Sequence, residues 1–233
     1  MSLDFPATAN ALWSGFTAGK LPRPEYILPV FFSESGFSTS VTNSIGCIGL
    51  NQLCPFAWPI PAGYASWSAS QQIAGPITSM FAQLIARYGP INSGTRAYLA
   101  NFLPADLATA KDLSSVLATR GGAVYSANSG LDYQSKGTIT VGDLAHFIAK
   151  AAGNAAVKSA IQQTYALAPS GVGPQQDPVY GTDFSSSSPI SSIPVADIAL
   201  AAAAALSLAG LGYLAWKEYK QPGYLLPFRA ATA

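Results

Sequence analysis

Two neighbouring stretches decide the reading: Pro24-Glu-Tyr-Ile-Leu-Pro-Val-Phe-Phe-Ser-Glu-Ser-Gly-Phe37 and Ile45-Gly-Cys-Ile-Gly-Leu-Asn-Gln-Leu-Cys-Pro55. In the first, Ile27, Phe31 and Glu34 stand at i, i+4 and i+7, so a helix here would carry the Glu34 carboxyl at the end of its apolar face. A carboxyl so placed is partly desolvated, and desolvation favours its neutral form. That is the form a general acid needs near neutral pH to protonate a glycosidic oxygen. Taken alone, the plainer reading is a glutamate exposed at a helix end. The surrounding pattern has to turn the choice.

Outward from this centre the chain reads as mainly helical. Ile73, Ile77, Met80, Phe81, Leu84 and Tyr88 recur at helix spacing, with Ser68 or Ser70 to cap the start and Gly89-Pro90 to end it. A second helix is expected from about Thr95 to Leu103 and a third near Lys111 to Thr119. Thr140 with Asp143 three residues on predicts a capping box opening a helix to Lys150, and Asn154 can cap another reaching Leu167. No internal repeat and no β-rich block is visible.

Glu34-Ser35-Gly36-Phe37, followed at short separation by Gly46 and by Gly49-Leu50-Asn51-Gln52-Leu53, resembles the soluble lytic transglycosylase family. In that family a Glu-Ser pair closes a helix and a Gly-Leu-x-Gln turn follows. Either motif alone is weak; the two together are fairly specific. The likeness continues through Arg96-Ala-Tyr-Leu-Ala-Asn-Phe-Leu-Pro-Ala105 and Tyr125-Ser-Ala-Asn-Ser-Gly-Leu-Asp132, which look like the transglycosylase domains of bacteriophage virion proteins. It implies a mainly α chain built on a lysozyme-like (α+β) domain with additional helices.

The resemblance assigns the acid role to Glu34. It implies that Ser35 holds the carboxyl or the substrate N-acetyl group by a hydrogen bond, while Gln52 and the Gly49-Leu50 backbone line the cleft. One position departs from the pattern: the usual Met of the turn is Asn51 here, and Asn51 counts with its neighbours as substrate-binding. Tyr98 matches a family aromatic near the reacting sugar, although on its own residues it reads equally as a core tyrosine.

The distribution of acids bears on mechanism independently. No Asp or Glu lies between Ser35 and Ala105, and only Asp4 and Glu25 precede Glu34. Retaining and inverting glycosidases use a second carboxylate across the bond. Glu25, nine residues earlier, would sit roughly 13 Å along a helix axis, too far to serve. Assistance by the substrate N-acetyl group removes that need. The family reaction then follows: Glu34 protonates the leaving oxygen of the MurNAc-GlcNAc β-1,4 bond, then takes the C6 hydroxyl proton, leaving a 1,6-anhydro-muramoyl end.

Charged residues are 10% of the chain and the formal net charge is +1, so no strong field recommends nucleic acid as a partner. Cys47 and Cys54 with the single distant His146 do not make a zinc set; they can form a local disulfide or stay as two buried thiols. Asp132 to Asp143 has the register of a calcium loop, but Gln134 and Lys136 occupy the third and fifth positions, so it reads as a decayed loop kept as a turn. No metal and no cofactor are expected. His146 reads as structural, and Trp58 and Trp67 either stack on sugars or cover the core.

The first ten residues have neither a basic nor an apolar region of secretory type. Residues 1–168 are expected to form the catalytic domain with its helical extension, and 169–194, rich in Ser, Pro and Gly, a tether. Residues 195–216 are long and apolar enough to span a bilayer, which takes roughly 20 residues as a helix, and 217–233 make a short basic tail. A buried alanine-rich helix, or one packed within an assembly, is the other reading of 195–216. Lys217, Lys220 and Arg229 place the tail on the cytoplasmic side and the large domain in the periplasm. The expected partners are peptidoglycan glycan strands, a membrane through the C-terminal segment, and other virion proteins, with the domain carried in a virion and acting in the host periplasm. Three rivals remain: a bacterial tail-anchored wall-remodelling enzyme, a structural ejection-conduit protein that only binds glycan, and a hydrolase.

Overall fold

The computed structural model describes residues 4–175, 178 and 179. Among the described residues the chain is mainly α, with one small antiparallel pair of strands. Helix α1, Phe5–Thr17, opens on Asp4, whose side chain accepts from Ala7 N, and buries Thr8, Ala9, Leu12 and Trp13 as one face. It is not among the helices expected from the sequence. Helix α2, Pro24–Ser35, buries every residue from Pro24 to Phe31 and so runs through the centre of the molecule. Proline suits its first turn, where the missing N–H has no intrahelical partner to lose. Gly36, at φ 59°, ends the helix in the left-handed conformation and returns its N–H to Phe32 O.

The helix expected from Ser68 or Ser70 to Tyr88 forms, but in pieces: α3, Ala69–Gln72, a π-helical turn Ile73–Ile77, and α4, Thr78–Tyr88. Ser68 is the cap, reciprocated by Gln71. Pro76 lacks the N–H that would continue the ladder, and Gly75 takes up the irregularity at φ −99°, ψ −108°. Helix α5, Gly94–Phe102, is capped by Ser93, which accepts from Arg96 N at 3.0 Å.

The third expected helix, near Lys111 to Thr119, does not form. Ser115 Oγ instead accepts from Lys111 N and Asp112 N, a local turn that competes with helix, and Val116–Thr119 is strand β1. It pairs antiparallel with β2, Thr138–Thr140, in the register Ala118↔Ile139 and Thr119↔Thr138. Helix α6, Ala123–Asn128, lies between the strands in sequence. Helix α7, Val141–Gly153, starts at the expected Thr140–Asp143 box, and α8, Ala155–Tyr165, starts at Asn154.

The core sits where α2 packs on α5, α7 and α8, around Ile27, Phe31, Leu99, Leu144 and Ile148. Trp13 Nε1 donates to Thr164 O at 2.9 Å and ties α1 to α8. The first part of the expected tether lies against this body. Gln175 N donates to Glu25 Oε1 at 3.2 Å, Gly94 N to Pro178 O at 2.8 Å and Thr95 N to Val179 O at 3.1 Å, so Gln175 lies at the N-terminal end of α2, and Pro178 and Val179 at that of α5. Among the described residues no helix is long and apolar enough to cross a membrane. The segment 195–216, for which that was expected, and the basic tail lie outside the described residues.

Candidate active site

Glu34 lies in the last turn of α2 with its side chain half-buried, and α5 packs along α2 from Gly94 beside Tyr26 to Asn101 beside Glu34. Tyr98 and Asn101, three residues apart on one face of α5, both reach it. The surrounding protein desolvates the carboxyl and pushes it up to about 7, against a hydrogen bond from Asn101 that favours the charged form. Burial, and then the nearby Glu34 charge, hold the Tyr98 phenol well above its ordinary value, so it is neutral at any working pH. Tyr98 stacks on Phe102 at 5.9 Å and lies 5.1 Å from Phe147. It is therefore both a core aromatic and a wall of the Glu34 site.

The loop after α2 folds back beneath the carboxyl. Asn43 Oδ1 accepts from Ile45 N and Cys47 N, both at 3.0 Å, and single bridges join Thr42 to Ile48 and Ile48 to Leu53. Cys47 and Cys54 are joined, which decides between the disulfide and the two thiols. Gly49 has φ +82°, and a Cβ there would lie 2.4 Å from Gln72 Oε1, so side-chain-free backbone is needed for two reasons. Gln72, with no exposed surface, accepts from Leu50 N at 3.0 Å and donates to Thr39 O at 2.7 Å and Tyr64 O at 3.1 Å. It clamps the loop to α3 at the point where the helix turns irregular.

The expected substrate residues come together here, but mostly as support. Ser35 Oγ donates to Phe31 O at 3.0 Å and Leu50 O at 3.1 Å, so its proton ties the helix end to the loop and is not given to the carboxyl. Leu50 is fully buried, with N–H and C=O both engaged inside the protein. Gln52, at φ 45°, turns its amide inward to Val41 O and Gly49 O. Asn51 has no exposed surface, and its Nδ2 donates to Asn101 Oδ1 at 2.6 Å. The Leu50 backbone and the Gln52 side chain, expected to line the cleft, and the Asn51 side chain, counted as substrate-binding, are thus engaged inside the protein. Asn101 and Gln72 were missed; for Asn101 the available signal was its place one helical turn after Tyr98.

Among the described residues, no second carboxylate acts on Glu34. Glu25 is buried in the first turn of α2 and paired with Arg23 Nε at 2.7 Å. Asp132 accepts from Tyr125 OH, Lys136 N and Gly137 N. The Lys136 ammonium sits 3.1 Å from both oxygens of Asp143, where a calcium loop would hold its cation. Among the described residues no cluster of His, Cys, Asp and Glu could hold a metal. His146 is stacked on Tyr133 at 4.0 Å, and burial lowers its pKa. Trp58 and Trp67 pack against the core, Trp67 beside Tyr64 at 5.7 Å.

The chain matches no family model, no curated protein and no solved structure.

Proposed function

We propose that this chain is a peptidoglycan lytic transglycosylase, with a lysozyme-like arrangement of α2, the disulfide-closed loop and α5, in which Glu34 cleaves the MurNAc-GlcNAc β-1,4 bond. The observation that carries the reading is a single carboxyl, pushed up to about 7 by burial, at a helix end where no second carboxylate acts on it among the described residues. Such a group is populated in both protonation states at neutral pH, and both are needed. In the first step the Glu34 proton passes to the glycosidic oxygen as the bond to C1 breaks, and the substrate N-acetyl oxygen supports the developing positive charge. In the second, the Glu34 carboxylate takes the proton of the C6 hydroxyl as O6 bonds to C1. The products are a GlcNAc end and a 1,6-anhydro-muramoyl end, and the acid is regenerated.

The resemblance to virion transglycosylases, together with a tether and an apolar C-terminal segment in the sequence, supports delivery by a phage particle. The domain then opens the host wall locally in the periplasm as the genome passes in. Glycan strands, the membrane and other virion proteins are the partners this requires.

The test is mass spectrometry of muropeptides released from purified peptidoglycan by the full chain and by Glu34→Gln. Anhydro-muramoyl ends that vanish in the variant are expected. Reducing ends would replace the transglycosylase by a hydrolase, and no product from either protein would favour a structural virion role.

A further inference from the structure

Asn51 is a polar side chain with no exposed surface, and its Oδ1 has no hydrogen-bond partner among the described residues. Leaving a buried amide oxygen unpaired costs about 1–3 kcal/mol, so the residue is held there against a penalty that an apolar side chain would avoid. The other end of the amide is well used. Nδ2 lies 2.6 Å from Asn101 Oδ1 and 3.8 Å from Met80 Sδ, and both of these atoms are acceptors. The thioether of Met80 has no proton to give, so it selects the nitrogen of Asn51 for that side independently of Asn101 and fixes which way the Asn51 amide points.

The consequence passes to Asn101. An amide has one accepting end and one donating end, so an Asn101 whose Oδ1 is taken by Asn51 presents Nδ2 to Glu34. A reversed Asn101 would turn its oxygen to Glu34, where it could accept from the neutral acid but would repel the carboxylate. We infer that Asn51 is a positioning residue that locks the Asn101 amide with its N–H group toward Glu34, and so secures the charged state the acid must reach to act as a base. The order is Met80 Sδ, Asn51, Asn101, Glu34, three side-chain contacts from the core to the carboxyl. Among the described residues, the other titratable group facing Glu34 is Tyr98 from α5, neutral throughout the range concerned. The lock rests on the contacts of Asn51 with Asn101 and Met80; its catalytic use rests on the function proposed above.

The experiment is a carbon-13 titration of the Glu34 carboxyl in the full chain, for the wild type, Asn51→Leu, Asn101→Leu and the double variant, with Asn51→Met carried alongside as a less branched filling of the same space. Asn51→Leu and Asn51→Met are expected to raise the Glu34 midpoint by about half a pH unit or more, a threefold change in its ionisation constant. In the Asn101→Leu background Asn51→Leu should add nothing, because the lock has lost what it holds. An unmoved midpoint in the single variants overturns the lock, and so does a shift that persists without Asn101. No substrate is involved, so a moved midpoint in a protein that releases no muropeptide would leave the lock standing and remove only the transglycosylase reading.

Discussion

Replacing Glu34 by glutamine keeps the shape of the side chain and deletes its ionisation, which turns the pKa into a stability measurement. In the unfolded chain the carboxyl titrates near its ordinary 4.5, and in the folded protein burial pushes it up to about 7. The folded state therefore binds the proton more tightly. The contribution of the neutral acid to stability is complete below the unfolded value and is lost as the pH rises through the folded one. A difference of about 2.5 in pKa corresponds to about 3 kcal/mol, and solvent reaching the half-buried side chain brings this nearer 2. Glutamine is neutral at every pH and loses nothing. Urea unfolding of the full chain and of Glu34→Gln, followed by tryptophan fluorescence at pH 4, 6 and 8, should show the variant gaining on the wild type by about 2 kcal/mol across that range. All other groups cancel in the difference. Parallel curves, within about half a kcal/mol, would mean that the carboxyl is not desolvated. Glu34 would then be an ordinary charged residue at a helix end and a poor acid.

Gln72→Leu leaves Leu50 N–H and the carbonyls of Thr39 and Tyr64 without their partner, and three lost bonds at about 1 kcal/mol each place the loss near 3 kcal/mol. It is read as a lower urea midpoint, and a loss below about 1 kcal/mol would show that the loop is held by something other than this clamp. The Cys47–Cys54 bridge closes a sequence separation of 7, so the paired Cys47→Ala and Cys54→Ala substitutions should cost about 2.5 kcal/mol through the freedom regained by the unfolded chain. An unchanged unfolding midpoint would mean that the bridges from Thr42 to Ile48 and from Ile48 to Leu53 hold the loop unaided.

What could be read from the sequence was what is decided within a few residues. The starts of α7 and α8 follow from Thr140 with Asp143 and from Asn154, because a cap is a bond between a side chain and a backbone N–H two or three positions on. The placement of Glu34 follows from Ile27 and Phe31, because helix periodicity is local. Tertiary structure decided the rest. The stretch 116–119 is strand and not helix because its partner is Thr138–Thr140, some twenty residues away. Cys47 and Cys54 are joined because the loop between them is bent back by its bridges to Ile48. The motif around Asn51 named a substrate-binding turn, and only packing against α4 and α5 turned that side chain inward, onto Met80 and Asn101. Which way a loop side chain faces is set by the surfaces that close over it, and those surfaces come from parts of the chain that no local pattern describes.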